Sequence, residues 1–553
     1  MAPRSATARA LVIVSVFGVL WAHALGLTQF ADPTYVDWML EGDWMQSLFG
    51  WLFTRHAQWG LPLAQAPDLI APGGTSAAFS DAIPILSVIG KVLSPFFGER
   101  LQLFGVWMVA QIVGAGVAGV LVCRQRLKDT PSLTLAGCLF VMNPIVSARF
   151  GHPSLMAFWL LTALVGACLW EVTNLASLRR TATVTLILCF VCCGIHPYLA
   201  AMCALLTGAS LVRLALMRQA TPLESVAWVA AGPLSCAAGA WLFGYLAPGA
   251  AAPLGSLTAE GFGQFSADML ALFNPGAWSR FFPPIPTNPR QYEGYGYLGL
   301  GTLGLLALGL SLLVKRGPSR RELLLGIPLL LVVAVMTVYS FSNIVTFAAK
   351  PLANFTSFYE RLAPWPSVFR GSGRFIWPLA ALLTTIAVLS AARLRTPWVR
   401  HFVLGGAVLL QITDVDPVRS GLHHPYPPLA PLRDPAWQLM KDYRHVVVHP
   451  VQLQWICPFD EKFIGALSWE AYRQRLSINS GHVTRAPRGT DCRHQLQLAE
   501  LDSQTVYVMF SPEYAGQVLR SLDCGGIEGK LVCVAKDRDT PLRRELLARS
   551  QPR

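Results

Sequence analysis

The chain has 553 residues, of which 53% are hydrophobic and only 14% charged, and its formal net charge is +13. Because soluble domains carry about 25% charged residues, this composition excludes an ordinary soluble protein and indicates one that spans a membrane several times. The basic residues are distributed over many short loops rather than gathered into one patch, so the positive charge does not indicate nucleic-acid binding.

Apolar segments long enough, or nearly long enough, to cross a bilayer follow one another along most of the chain. We predict about eleven spans, at residues 10–27, 101–122, 131–149, 154–171, 181–195, 197–215, 223–246, 296–314, 322–340, 374–392 and 398–413. The further apolar run 82–98 contains Pro84 and Pro95, and we predict a re-entrant or interfacial helix there. Counting that run as a span would place the basic residues 124–128 outside the membrane.

The lysines and arginines between these spans determine the orientation. With about eleven spans, every basic cluster falls on one side, which the positive-inside rule makes the cytoplasm. We therefore expect a multi-pass protein of a bacterial inner membrane, with its N-terminus in the cytoplasm and its C-terminal domain in the periplasm. The first span is alternatively a signal peptide ending at Ala22-His23-Ala24, which would leave the other spans unchanged. The clusters are Arg4 and Arg9; Arg124, Arg126 and Lys128; Arg179 and Arg180; Arg213 and Arg218; Lys315, Arg316, Arg320 and Arg321; and Arg393, Arg395 and Arg400.

Residues 1–413 would thus form the membrane domain. Its predicted outer loops are 28–100, 247–295 and 341–373, and residues 414–553 form an outer tail. The tail alternates strand-like with helix-like runs, which predicts a small α/β domain. The strand-like runs are 445–455, 504–510 and 530–535, and one helix-like run is 512–522.

The tail contains four cysteines. An even number on the oxidising side of a membrane predicts two disulfides, with three possible connectivities. A zinc site is disfavoured because the tail has no CxxC pair. The four residues are Cys457, Cys492, Cys524 and Cys533.

Three carboxylates lie close together in the first outer loop, in the sequence Asp37-Trp38-Met39-Leu40-Glu41-Gly42-Asp43-Trp44. Residues 43–58 have apolar positions at helical spacing, which predicts an amphipathic helix on the membrane surface. Asp43 at its start is a candidate N-cap, a candidate catalytic base, or both. Asp37 is its candidate partner. Asp81 is placed to cap the re-entrant helix, or to return a second carboxylate to the same cleft.

Candidate anion-binding residues occur in the other outer segments. His152 and His196 each precede a proline in a short outer turn, and each is either an interfacial turn residue or a phosphate ligand. Arg370 and Arg374 flank a Gly-Ser-Gly sequence at the start of the tenth predicted span, where a guanidinium suits a lipid-linked phosphate. Asp414-Val415-Asp416 has the DxD form of a metal site, so a divalent metal is possible, but no metal ligands or other cofactor are predicted.

The order of these features resembles the GT-C class of membrane glycosyltransferases, and more closely a largely uncharacterised family of bacterial multi-spanning proteins assigned to that class. The chain lacks the adjacent Asp-Glu pair of the protein mannosyltransferases of that class. The matching stretches are Asp37-Trp38 with Gly42-Asp43, Phe79-Ser80-Asp81-Ala82-Ile83-Pro84, Gly151-His152-Pro153-Ser154-Leu155-Met156, His196-Pro197-Tyr198, Tyr292-Glu293-Gly294-Tyr295-Gly296-Tyr297-Leu298-Gly299 and Phe369-Arg370-Gly371-Ser372-Gly373-Arg374-Phe375.

The resemblance implies a GT-C-like fold and transfer of a sugar from a polyprenyl-phosphate donor to a cell-envelope glycan or glycolipid on the periplasmic side, with inversion. The expected partners are the lipid-linked sugar, the acceptor and membrane lipid. Asp43 would be the base, with Asp37 or Asp81 as its partner. Arg374, with Arg370 or a rim histidine, would bind the phosphate, and the loop containing Tyr292 and Glu293 would border the sugar site. The competing hypotheses are a polymerase or ligase of lipid-linked glycans, a transporter of such glycans, and a non-catalytic assembly protein.

Overall fold

The computed structural model describes residues 4–246, 262–315, 320–416, 432–484 and 490–550. Parts of the predicted second outer loop (247–261) and of the tail (417–431) lie outside these residues. The chain forms two compact units, each composed of three stretches. The helical unit consists of Met1–Asp32, Phe104–Gly239 and Leu254–His424, and the sheet unit of Pro33–Leu103, Ala240–Pro253 and Pro425–Arg553.

Helices account for most of the described chain. In chain order, the α-helices are α1 (Arg4–Ala24), α2 (Asp43–His56), α3 (Pro84–Leu93), α4 (Phe104–Cys123), α5 (Thr130–Val141), α6 (Pro144–Ser147), α7 (Trp159–Leu169), α8 (Leu175–Cys193), α9 (Pro197–Leu216), α10 (Pro222–Leu242), α11 (Leu300–Lys315), α12 (Arg320–Ser340), α13 (Thr356–Arg361), α14 (Trp377–Ser390), α15 (Pro397–Asp414), α16 (Glu461–Arg473) and α17 (Pro541–Ser550).

The strands are short and lie in three separate sheets. They are β1 (Gln65–Ala66), β2 (Thr75–Ser76), β3 (Ile344–Phe347), β4 (Lys350–Asn354), β5 (His445–His449), β6 (Ser477–Ile478), β7 (Thr505–Met509), β8 (Leu522–Ile527) and β9 (Lys530–Ala535).

The chain is a multi-pass membrane protein. Within the described residues, eight helices are long and apolar enough to cross a membrane: Ser5–Ala24, Phe104–Cys123, Thr130–Ser147, Leu175–Cys193, Pro197–Leu216, Pro222–Leu242, Arg320–Ser340 and Ser372–Arg393. Helices α7, α11 and α15 occupy the other three predicted spans, but α7 and α11 are shorter and α15 contains Arg400, His401 and Asp414. The run 82–98 forms the ten-residue helix α3 and a 3-10 turn, which is too short to cross a bilayer.

Small residues allow helices of the helical unit to approach closely. A Cβ atom placed on Gly116 would lie 2.4 Å from a methyl carbon of Val14, and one on Gly137 would lie 2.7 Å from the other. Helix α1 therefore packs directly on the backbones of α4 and α5, as is common where membrane helices associate through van der Waals contact.

Ion pairs connect the loops that the sequence assigns to the cytoplasm. The Asp129 carboxylate accepts a hydrogen bond from the Ser132 backbone N–H at 2.9 Å, which caps α5. It also lies 2.7 Å from Arg400 Nη2 and 2.8 Å from His401 Nε2. Two further ion pairs connect Arg126 with Glu171 and Arg179 with Glu224. The four loops that contain or adjoin all these paired residues therefore lie at one end of the helical unit, as the predicted orientation requires.

The tail forms a five-stranded mixed sheet in the order β6-β5-β7-β9-β8. β5 pairs in parallel with β6 and β7, whereas β9 is antiparallel to β7 and β8. The predicted strands at 504–510 and 530–535 are confirmed as β7 and β9, whereas the one at 445–455 is confirmed only over His445–His449 (β5), which ends before Pro450. The helix-like run predicted at 512–522 forms two 3-10 helices, Pro512–Tyr514 and Gly516–Ser521, rather than one α-helix, because Gly516 adopts a φ of 48°.

Two disulfides stabilise the tail, as predicted, and the structure selects their connectivity. Cys457 pairs with Cys492, and Cys524 on β8 pairs with its register partner Cys533 on β9. Disulfides persist in oxidising compartments, so both are consistent with an extracytoplasmic tail.

The first outer loop pairs with the sheet of the tail. Leu69 forms a parallel bridge with Ile478. The Ile478 N–H donates to the Asp68 carbonyl at 2.8 Å, and the Ala71 N–H donates to the Ile478 carbonyl at 2.9 Å. Most of the first outer loop therefore belongs to the same compact unit as the tail.

Helix α2 lies inside the sheet unit. Every residue from Met45 to Thr54 is buried, which differs from the one-sided burial of the predicted amphipathic surface helix. Close packing explains the difference: a Cβ atom on Gly50 would lie 1.8 Å from Ser80 Oγ. Even the polar face of α2 is therefore covered by the loop around Ser80 and by the tail.

Candidate functional site

Asp43 is the first residue of α2 and lies beside a buried histidine. The N-cap is Gly42, with a φ of 61°, so Asp43 itself is not the cap that the sequence suggested. Its Oδ1 lies 3.6 Å from His482 Nε2, with the Asp43 side chain 39% exposed and that of His482 3% exposed. The Gly42 N–H donates to Glu461 Oε1. The helix N-terminus directs positive potential toward the Asp43 carboxylate.

The other two predicted carboxylates have different surroundings in the sheet unit. Asp37 forms an ion pair with Arg100 at 2.5 Å. Asp81 is 8% exposed and has a φ of 53°, and its carbonyl accepts a hydrogen bond from Ser47 Oγ at 3.0 Å. It does not cap α3, because the residue before that helix is Ile83.

A buried cluster of two arginines and one glutamate lies in the helical unit. Glu293 Oε2 accepts hydrogen bonds from Arg149 Nη1 at 2.7 Å and Arg374 Nε at 2.9 Å, and its Oε1 accepts from Arg374 Nη2 at 2.9 Å. Burial alone would raise the pKa of the Glu293 carboxyl, but Arg374 and Arg149 hold that pKa well below its ordinary value. The cluster therefore contains an ionised carboxylate and carries one excess positive charge.

Aromatic rings cover the cluster. The Arg374 guanidinium lies 4.5 Å from the centre of the Tyr198 ring, and that of Arg149 lies 5.1 Å from the Trp377 ring. Tyr198 Oη accepts a hydrogen bond from the Gly371 N–H at 2.8 Å, and His196 Nδ1 accepts one from the Tyr198 N–H at 3.2 Å. His196 thus caps α9 and positions the tyrosine.

Two further arginines flank a single aromatic ring at the surface of the helical unit. The exposed guanidinium groups of Arg290 and Arg370 lie 5.5 Å and 5.9 Å from the centre of the Phe265 ring. The ring of Tyr292, which is 60% exposed, packs edge-on against Phe265 at 6.1 Å. This arrangement places two accessible guanidinium groups beside one aromatic ring, and guanidinium groups suit a phosphate.

A cavity of about 340 Å³ lies in the same unit, and Tyr292 borders both the cavity and the Phe265 ring. Its wall combines aromatic, polar and small residues, as ligand pockets do. The lining residues are Ala148, Arg149, Asp268, Ala271, Asn274, Gly276, Ala277, Trp278, Thr287, Gln291, Tyr292, Gly294 and Tyr295.

The DxD sequence has structural contacts. Asp414 Oδ2 accepts hydrogen bonds from Tyr297 Oη and the Leu300 N–H, each at 2.8 Å, and Oδ1 accepts one from Ser279 Oγ at 2.5 Å. Asp416 lies 3.4 Å from Arg280. Asp414 therefore joins the end of α15 to the second outer loop. The described part of the chain contains no group of three or more His, Cys, Asp or Glu residues that could hold a metal ion.

Comparison with protein families assigns the chain to one of them. Residues 15–416 match a domain of unknown function, DUF6311, and residues 436–535 match the DUF6311 C-terminal domain. The chain belongs to the DUF6311 family. No curated protein matches it.

This DUF6311 protein weakly resembles two crystal structures of the Archaeoglobus fulgidus oligosaccharyltransferase. One is the apo form and the other is a complex with zinc and sulfate. The TM-scores are 0.41 and 0.40, with 12% sequence identity in both cases. The match covers 86% and 85% of this chain but only 64% and 62% of the archaeal chain. This degree of likeness carries no information about the reaction of the DUF6311 protein.

Sequence reasoning placed Arg374, Glu293 and Tyr292 in one site, and the structure brings these three together in the helical unit. His152 lies close enough to Glu293 to act electrostatically on its carboxylate. Arg370 lies with Arg290 at Phe265. Asp37, Asp43 and Asp81 all belong to the sheet unit.

Four residues with contacts at these sites were not predicted. Arg149 lies at the outer end of a predicted span. Because arginines are scarce at such positions, the sequence alone could have indicated Arg149 as a candidate site residue. Arg290 and Trp278 lie in the Pro- and aromatic-rich second outer loop. His482 is separated from Asp43 by most of the chain, so no local spacing connects the two residues.

Proposed function

We propose that this DUF6311 protein is a membrane glycosyltransferase of GT-C type. It would transfer a sugar from a polyprenyl-phosphate donor to a glycan or glycolipid of the cell envelope on the periplasmic side, with inversion at the anomeric carbon. The observation that supports this proposal best is the pair of exposed arginines, Arg290 and Arg370, at Phe265, next to a cavity bordered by Trp278 and Tyr292.

The phosphate of the donor gains negative charge as the sugar leaves, and cations placed there stabilise the transition state. Arg370 and Arg290 are the accessible cations for this role. The sequence predicted that Arg374 binds the phosphate, but Arg374 is buried and both carboxylate oxygens of Glu293 are its partners. We therefore propose that Arg374 positions the segment 371–374 instead. His152 would be the rim histidine at the phosphate, and His196 would act through Tyr198.

The acceptor hydroxyl has a high pKa and requires a base. Asp43 fits this role better than the other two carboxylates, because Asp37 is paired with Arg100 and Asp81 is buried. In a single displacement, the hydroxyl oxygen bonds to the anomeric carbon, the bond from that carbon to the phosphate oxygen breaks, and Asp43 takes the hydroxyl proton. His482 would hold the carboxylate in place.

A polymerase or ligase of lipid-linked glycans is the second candidate. Such an enzyme relies on cationic groups in its outer loops, and Arg290, Arg370 and His152 favour it. The two candidates differ in their donor, which is a single sugar on a lipid phosphate for the transferase and a preassembled oligosaccharide for the polymerase or ligase.

The test uses the purified full chain in lipid nanodiscs. Wild type and Asp43→Asn are incubated with a panel of radiolabelled polyprenyl-phosphate sugars and a membrane glycolipid extract. The transferase proposal expects label in a new product with wild type and not with the variant. Transfer of a preassembled oligosaccharide alone would support the polymerase or ligase, and no transfer from any donor would overturn both.

A further inference from the structure

The cavity bordered by Trp278 and Tyr292 has a wall that is held rigidly by its own hydrogen bonds. Asp268 accepts from Thr346 Oγ1 at 2.8 Å and from three backbone N–H groups, of which the closest is that of Leu270 at 2.9 Å. Asn274 Oδ1 accepts from the Gly276 and Ile285 N–H groups at 3.0 and 2.9 Å. These polar side chains therefore shape the wall and have little capacity left for a ligand.

Aromatic rings supply most of the remaining wall. Trp278, Tyr292 and Tyr295 all border the cavity. Gly276 keeps open the space between Trp278 and Tyr295. A Cβ atom on Gly276 would lie 3.6 Å from Trp278 Cδ1 and 3.7 Å from Tyr295 Cε2. The φ of Gly276 is 55°, which disfavours any other residue at this position. The chain thus keeps side-chain atoms out of the space between these rings.

Two polar atoms of the wall residues are buried without a hydrogen-bond partner in the described part of the chain, namely Arg149 Nε and Tyr295 Oη. Burial, together with the neighbouring Tyr297 and Asp414, raises the pKa of the Tyr295 phenol well above its ordinary value. The phenol therefore remains protonated, and both groups are donors. Both atoms are fully covered, so they belong to the shell behind the wall, and the hydrogen-bonding groups that the wall can present to a ligand are the polar ends of its tryptophan and tyrosine rings.

We infer that this cavity is a saccharide subsite, which takes one or two sugar units of the donor or the acceptor. The inference rests on the proposed function. A sugar ring combines an apolar face of C–H groups with a rim of hydroxyls, and the wall combines amphipathic aromatic rings with donors. A cavity of about 340 Å³ is at the lower end of the range for small-molecule sites, roughly 300–1,000 Å³, which suits one or two rings better than a long oligosaccharide.

Saturation-transfer NMR on the full chain in nanodiscs tests the inference without requiring catalysis. The probes are glucose, galactose, mannose, N-acetylglucosamine and arabinose, each alone, with glycerol as the non-ring polyol control. The variants are Trp278→Ala, which removes the ring, and Ala277→Trp, which fills the space from an exposed position. Trp398→Ala, which removes a 70% exposed tryptophan at the start of α15, is the matched control.

We expect saturation transfer to at least one sugar and none to glycerol. Affinity should fall by roughly tenfold in Trp278→Ala and Ala277→Trp, since an aromatic contact contributes about a factor of ten, and should be unchanged in Trp398→Ala. Binding of no sugar, or equal binding by wild type and both cavity variants, would overturn the inference.

The two proposals fail separately. If sugar binding depends on Trp278 but no sugar is transferred from any lipid-linked donor, the subsite is retained and the transferase proposal is overturned. Transfer by wild type with an unchanged KM in both cavity variants would retain the transferase and overturn the subsite.

Discussion

The buried imidazole of His482 lies 3.6 Å from the partly exposed carboxylate of Asp43. Asp43 begins α2 in the first outer loop, whereas His482 follows β6 in the tail. The tail therefore contributes directly to the surroundings of the residue that we propose as the base. Since Glu461 of the tail also accepts the Gly42 N–H, two tail residues position the start of α2.

Replacing Asp43 by Asn should reduce transfer by about 10²–10⁴-fold, because the amide cannot accept the hydroxyl proton. His482→Gln should lower kcat by about tenfold with little change in KM, because it disturbs the orientation of the carboxylate rather than substrate binding. Initial-rate kinetics on purified protein check both values. Glu41→Gln is the control and should retain wild-type kinetics; full activity of Asp43→Asn would exclude Asp43 as the base.

Arg290→Gln and Arg370→Gln should each weaken binding of a polyprenyl-phosphate sugar by roughly tenfold, since a hydrogen bond to a charged group contributes about 1.5–3 kcal/mol and exposure reduces that contribution. Affinity measured by isothermal titration should also depend less on salt in each variant than in wild type. Arg361→Gln, at another exposed arginine in the helical unit, is the control. Equal affinity and equal salt dependence in all four proteins would remove these arginines from the phosphate site.

Glu293→Gln should destabilise the helical unit by about 3–5 kcal/mol, because it leaves the buried guanidinium groups of Arg149 and Arg374 without their counter-charge. Thermal unfolding in nanodiscs measures the effect as a large fall in Tm. Glu360→Gln, at an exposed position, should change Tm very little. A Glu293→Gln protein with wild-type Tm would show that the cluster does not stabilise the fold.

Asp129→Asn should destabilise the helical unit by about 1–2 kcal/mol near neutral pH, because Asn keeps the cap of α5 but loses charge-assisted bonds to Arg400 and His401. Burial would raise the pKa of Asp129, but hydrogen bonds from Ser132 and His401 and the charge of Arg400 lower it to about 2.

The pH dependence of that variant follows from the lowered pKa. The pKa of Asp129 is about 2 in the folded protein and about 3.9 in the unfolded chain. The carboxylate therefore contributes its full share of the free energy of unfolding when the pH is above the unfolded pKa, and that share is lost as the pH falls through the folded pKa. The difference in Tm between wild type and Asp129→Asn should therefore be constant from pH 5 to 8 and shrink between about pH 4 and 2. A difference that persists at pH 2 would contradict this assignment.

The membrane helices and the strands of the tail were predictable because each is a local pattern. Apolar length marks spans such as α4 and α12, and alternation of apolar residues marks β5 and β7. The division of the helix-like run 512–522 into two 3-10 helices was not predictable, because apolar spacing alone does not reveal that Gly516 takes a positive φ.

The candidate sites were only partly predictable, because they depend on tertiary contacts. The scarcity of outer arginines indicated Arg374 as a candidate, whereas Arg149 was not predicted because it lies at the end of an apolar run. Burial of α2 on all sides could not be predicted, because it requires the tail to pack against a loop that is distant in sequence.

The pairing of Leu69 with Ile478 has a consequence for biogenesis. The ribosome makes Asp43 long before Glu461 and His482. The first loop therefore cannot complete its pairing until the segment that contains Ile478 has been synthesised and has reached the same side of the membrane. A chain truncated before the tail would therefore lack the two tail residues that surround the start of α2.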